Sequence, residues 1–241
     1  TSSCIISYIK SIILYEFFAN RFNRCVSCLC EASMDIIWYM FDMIGTIAFA
    51  VSGALVGVSR KMDIFGMAVL ALATAIGGGV IRDVLLGYFP PNSLRNVVYV
   101  TVVLMVTFIV FVIYNSRYHR NIMGPRSRAS YLFADALGLA SFTVTGASAG
   151  YTLYPDLPIF IVLLGTITAV GGGILRDMLA QRVPSVLKED VYALPSIIGG
   201  IAYYLLVISD WAGQAVYGAF TIVLVIRLLA IKYHWSLPRV R

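Results

Sequence analysis

The chain has 241 residues, 60% of them hydrophobic and 12% charged, with a mean hydropathy of +0.86 and a formal net charge of +6. A soluble domain carries roughly a quarter of its residues as charge to keep its surface wet; half that fraction, set between long apolar blocks, excludes a soluble enzyme and points to a bilayer as the solvent. The Lys and Arg residues stand singly or in small groups between those blocks, which is how membrane proteins carry orientation charge, and not as a patch for nucleic acid.

Residues 1–34 read as a tail apart from the main body. Ile5 to Ala19 is apolar but broken by Lys10 and Glu16, and suits an interfacial segment or a leader outside the fold. All four cysteines (Cys4, Cys25, Cys28 and Cys30) lie here. Cys25-x-x-Cys28-x-Cys30 has thiolate spacing for a metal, but no His lies near it, so a loosely ordered tail is expected and no metal or cofactor.

A spanning helix needs about 20 mostly apolar residues. That rule predicts seven spans, near residues 35–58, 63–87, 96–115, 131–151, 158–180, 190–209 and 211–231. Short linkers separate them, punctuated by Arg60-Lys61, Pro90-Pro91-Asn92, Tyr154-Pro155-Asp156 and Pro184-Ser185. The longest linker, 116–130, carries Arg117, Arg120, Arg126 and Arg128.

The body repeats itself. Asp42-x-x-Gly45-x-x-x-Phe49-Ala50-Val51-Ser52-Gly53-Ala54 returns as Asp135-x-x-Gly138-x-x-x-Phe142-Thr143-Val144-Thr145-Gly146-Ala147. Gly77-Gly78-Gly79-x-x-Arg82-Asp83 returns as Gly171-Gly172-Gly173-x-x-Arg176-Asp177. Pro91, Leu94 and Val98-Tyr99 return more weakly as Pro184, Leu187 and Val191-Tyr192. A shared offset across three successive spans indicates internal duplication. Three is an odd number, so the second copy (131–209) enters the membrane the opposite way to the first (35–115). Span seven (211–231) and a C-terminal tail (232–241) stand outside the repeat. The expected fold is all-α: seven transmembrane helices as two inverted three-helix repeats plus one.

One set of linkers holds Arg60, Lys61, Arg117, Arg120, Arg126, Arg128, Arg182 and Lys188, and the opposite set holds Arg95. The positive-inside rule makes the basic side cytoplasmic, in a multi-pass protein of the plasma (inner) membrane. The C-terminus, with Lys232, Arg239 and Arg241, falls on that side. The N-terminus falls outside, against the sign of its own Lys10, Arg21 and Arg24.

Glycine inside a helix costs about 1 kcal/mol relative to alanine, so each triplet weakens its span. One reading is a kink or break that turns carbonyls toward a central path; the other is close packing through small residues. Ionisable residues inside a span are functional candidates with partners. Adjacent helical residues point about 100° apart, so Arg82 and Asp83 are not expected to satisfy each other, nor Arg176 and Asp177. Depth along the spans pairs Asp42 with Arg82 and Asp135 with Arg176, one pair near each mouth, as latches or as a gate. Ser52 and Thr145 offer hydroxyl oxygens to a cation or to a neighbouring backbone. No Walker loop, His-Glu-x-x-His or Ser-His-Asp set is present, so no enzyme is expected.

The doubled Gly-Gly-Gly-x-x-Arg-Asp, with Phe49-Ala50-x-Ser52-Gly53-Ala54, resembles the prokaryotic TRIC family, the trimeric intracellular cation channels, over about residues 35 to 231. The resemblance implies a homotrimer in membrane lipid. Each subunit would have its own pore for monovalent cations, mainly potassium with some sodium, flanked by spans two and five. Gly77, Gly78, Gly79, Gly171, Gly172 and Gly173 would be kink residues. Related bacterial sequences have been labelled putative glycine transporters, so a secondary carrier of a small zwitterion stays open. The lysine-glutamate-valine signature of animal members is not matched; Lys188-Glu189-Asp190-Val191 is only similar.

Overall fold

The computed structural model describes residues 36–115, 125–188, 191–209, 211–233 and 235; the cysteine cluster, Glu189 and Asp190 lie outside them. The chain divides into residues 1–40 and a larger unit, 41–241. Of the smaller unit the described residues are 36–40, the first turn of helix α1 (Ile36–Ser59).

The larger unit continues with α2 (Ile64–Leu85), α3 (Asn92–Arg95), α4 (Val97–Asn115), α5 (Pro125–Leu153), α6 (Pro158–Leu179), α7 (Ser185–Lys188), α8 (Leu194–Val207), a 3-10 turn (Ala212–Gln214) and α9 (Ala215–Tyr233). Among the described residues no strand occurs. Helices α1, α2, α4, α5, α6 and α9 are long and apolar enough to span, and α8 is the seventh, shorter apolar helix. The fold is therefore an all-α membrane protein in which α1, α2 and α4 form one repeat, α5, α6 and α8 its inverted copy, and α9 stands alone.

The punctuation works locally as its chemistry dictates. The carboxylate of Asp63 accepts from Gly66 N–H at 2.7 Å and starts α2. Pro158, whose φ is preset and whose missing N–H has no helical partner to lose, opens α6. Both helices end in a left-handed residue at equivalent places, Gly87 (φ 77°) and Gln181 (φ 51°). The next N–H then folds back on the motif aspartate: Tyr88 donates to Asp83 O at 2.8 Å and Arg182 to Asp177 O at 3.0 Å.

Three boundaries depart from expectation. Helix α5 starts at Pro125, six residues early, so Arg126 and Arg128 are helical and the preceding linker is shorter. Helix α8 starts at Leu194 and has 14 residues, about 21 Å of rise against a hydrocarbon core of about 30 Å. Where linkers were expected, α3 and α7 form at repeat-equivalent positions.

Phe49 and Phe142 meet edge to face at 5.2 Å in the buried core. Each occupies space that a glycine in the opposite repeat leaves open. A Cβ on Gly138 would strike the ring of Phe49, and one on Gly45 would lie 3.1 Å from the ring of Phe142. Helix α4 turns Leu104, Met105, Phe108, Ile109 and Val112 outward, as a lipid-facing helix does.

Candidate functional site

The glycine triplets lie where α2 crosses α6, and the α-helix runs uninterrupted through both. Of the two readings, a break in the helix is absent, and close packing of the partner helix against the glycines is present. A Cβ on Gly78 would strike the carbonyl oxygen of Thr168, and one on Gly172 that of Thr74. The flanking positions are reciprocal too, with Gly77 against Leu175 and Gly171 against Ile81. Backbones approach this closely only where side chains are missing. Gly53 and Gly146 do the same within each repeat, admitting Thr74 and Thr168.

One turn beyond each crossing the chain buries charge. Arg82 Nη1 lies 3.2 Å from Asp42 Oδ1, and Arg176 Nη1 lies 2.6 Å from Asp135 Oδ1. All four residues are buried. The expectation that neighbours in sequence would not pair is overturned: Arg82 Nε donates to Asp83 Oδ1 at 2.9 Å, and Arg176 Nε to Asp177 Oδ1 at 2.9 Å. The arginine side chain is long enough to fold across the 100° between adjacent residues, so its fork serves both a distant and an adjacent carboxylate.

Each distant carboxylate also takes a phenol. Tyr99 Oη donates to Asp42 at 2.7 Å and Tyr192 Oη to Asp135 at 3.3 Å. Ser52 accepts from Arg176 Nη1 at 2.6 Å, so a first-repeat hydroxyl serves the second-repeat arginine. Thr145 Oγ1 lies 3.5 Å from Phe142 O.

The second cluster also takes Arg227, which lies outside the repeat, and Arg182, whose repeat-equivalent position is Tyr88. Arg227 of α9 lies 3.8 Å from Asp135, stacks over Tyr192 at 4.5 Å and donates to Val191 O at 3.0 Å. Arg182 donates to Asp177 from Nη2 at 2.7 Å and to Tyr131 Oη at 3.1 Å. The Tyr131 ring also carries Arg176 at 5.1 Å. Arg176 Nη2 has no acceptor among the described residues. Sequence reasoning missed Tyr99, Tyr192, Tyr131, Arg182 and Arg227 as site residues. The repeat offset could have found the tyrosine pair, and the rule for charge inside an apolar span could have found Arg227.

A family model described as Glycine transporter matches residues 39–115 and again 132–207, one match per repeat. A UPF0126 membrane protein of Vibrio cholerae is 38% identical over 222 residues, covering 90% of this chain and 88% of that one. The UPF0126 inner membrane protein YadS of Escherichia coli is 35% identical, covering 83% and 94%. Among solved structures, one described for conductance through TRIC cation channels shares 38% identity at a TM-score of 0.73, covering 84% of this chain and 96% of that one. A TRIC orthologue from Rhodobacter sphaeroides shares 30% at 0.74, covering 83% and 99%. The chain belongs to the TRIC family.

In this TRIC-family chain the third glycine of a triplet makes room for the cluster. A Cβ on Gly173 would lie 2.6 Å from Tyr192 Oη and 3.6 Å from Arg176 Nη2. Gly173→Ala is therefore expected to drive the phenol off Asp135 and cost about 1–3 kcal/mol. Tyr192→Phe removes the hydroxyl without the clash and should cost about 1 kcal/mol. Thermal unfolding in detergent ranks the two; equal stability of Gly173→Ala and wild type contradicts this packing.

Proposed function

We propose that this chain is a passive channel for monovalent cations, mainly potassium, working as a homotrimer in the inner membrane with a pore in each subunit. The path runs along α2 and α6 past both charge clusters, with the C-terminus cytoplasmic. The observation that carries this reading is the likeness, at 30–38% identity and over 83–84% of the chain, to solved TRIC channels. Geometry supports it. Arginines and carboxylates buried in a bilayer are costly unless they face one another or a water-filled cavity. The Arg176 Nη2 amino group, with its two N–H donors, is still left for water to satisfy.

Ser52 and Thr145 would lie along that path, Asp42 with Arg82 and Asp135 with Arg176 would latch or gate its ends, and the glycines would set its width. No ring of acidic side chains is evident among the described residues, so discrimination between potassium and sodium should be modest. Strong discrimination in reversal-potential measurements contradicts this.

The second reading, a carrier for a small zwitterion such as glycine, takes support from the family model's description. It loses one argument: with α2 and α6 continuous through the triplets, no half-helix terminus is present there to hold a carboxylate. Planar-bilayer recording of the purified protein under a potassium chloride gradient separates the two. Unitary steps reversing near the potassium potential support the channel. A silent bilayer, with uptake of labelled glycine into vesicles, supports the carrier.

A further inference from the structure

Each Arg-Asp motif is tied to a second element. The Asp83 carboxylate is split between two donors: Oδ1 accepts from Arg82 Nε at 2.9 Å and Oδ2 from the backbone N–H of Asn92 at 2.7 Å. Asp177 repeats the arrangement, with Arg176 Nε at 2.9 Å and the backbone N–H of Ser185 at 2.7 Å. Asn92 and Ser185 are the first residues of α3 and α7, each four residues long and each preceded by proline. The first N–H groups of a helix have no partner within it and favour an anion. A helix of one turn does not hold itself together in isolation. Its neighbours are exposed: Phe89 and Leu94 beside or on α3, and Leu187 on α7.

We propose that Asp83 and Asp177 are positioning residues that couple each buried arginine to the short helix at the corresponding end of the path. α3 and α7 then follow the arginines during gating. The shared carboxylate is the joint: rotation toward one donor withdraws an oxygen from the other. The proposal deepens the channel reading and rests on it for its effect on current. The two ends are unequal. Position 182 is an arginine that also donates to Asp177, from Nε at 2.9 Å and Nη2 at 2.7 Å, whereas the repeat-equivalent position holds the exposed Tyr88. Asp177 is thus braced by Arg182 and α7 follows less freely than α3.

Asn92→Pro and Ser185→Pro each delete the single backbone N–H from the short helix that the carboxylate holds and leave every side chain of the clusters in place. Proline suits a first helical position, and Pro91, at φ −54° and ψ 141°, already has the extended shape required before a proline. In bilayer recordings of the full chain, Asn92→Pro is expected to shorten closed dwell times about tenfold, the size of one charge-assisted hydrogen bond. Unitary conductance should hold, and Ser185→Pro should have a smaller effect. Unchanged dwell times in both variants overturn the coupling.

A second readout does not depend on current. With the four natural cysteines replaced by serine, Leu94→Cys is labelled by a thiol reagent in vesicles, with and without Arg82→Lys. Lysine keeps the charge but lacks Nε, so coupling predicts a several-fold change in labelling rate at α3, and an unchanged rate overturns it. If wild type passes no current while the labelling rate shifts, the channel reading fails and the coupling stands.

Discussion

Arg176→Gln is expected to be the most damaging single side-chain change in the molecule. The guanidinium is fully buried and serves Asp135, Asp177 and Ser52 together. Removing one partner of a buried pair leaves an uncompensated charge and typically costs about 3–5 kcal/mol. Thermal unfolding in detergent should show that loss. Neutralising the partner as well, in Asp135→Asn/Arg176→Gln, should recover part of it, because Asp135 is no longer left with only the more distant Arg227, at 3.8 Å, as its cation. Recording from the double variant then assigns the arginine's role. Recovered stability with altered conduction means that Arg176 acts on the ion path. Recovery of both means that it is a latch, and the gating idea falls.

Gly78→Ala and Gly172→Ala are expected to have the second largest effect, about 3 kcal/mol or more, and to lower the yield of folded protein in detergent. The new methyl would meet a backbone oxygen on the facing helix, Thr168 O or Thr74 O, and neither can move without separating α2 from α6. Gly77→Ala and Gly171→Ala press on the ends of Leu175 and Ile81, which can change rotamer, with Gly78 Cα at an ordinary contact distance of 3.5 Å from the new methyl at position 171, and should cost about 1 kcal/mol. A ranking in which all four alanines behave alike contradicts a backbone crossing at the central glycines.

The architecture was legible in the sequence because both its signals are periodic: apolar runs long enough to span, and a motif that returns 93 or 94 residues later. The pairing of Asp42 with Arg82 was legible from depth alone, since both lie near one end of antiparallel helices. The pairing of Arg82 with Asp83 was not, because helical angles describe where Cβ atoms point and a guanidinium reaches several bonds further. The glycine triplets were legible as special, with close packing as one of two readings that the sequence left open. Propensity predicts a weakened helix, while the facing backbone that makes weakness harmless is a tertiary fact. Helices α3 and α7 were invisible because their stabilising carboxylates lie on α2 and α6, outside any local window. Arg182 was read as orientation charge, and nothing local distinguishes it from Arg60.

The reciprocal fit of Phe49 and Phe142 bears on how the chain is made and on where it came from. Each aromatic ring completes the opposite half, so neither half can close its own interior as it leaves the ribosome. Phe49 reaches its packed position only when α5 brings Gly138 against it. By the same geometry, a half-length ancestor could have filled that gap only by meeting a copy of itself inserted upside down. Joining two such genes would then have fixed an antiparallel pair into a single polypeptide.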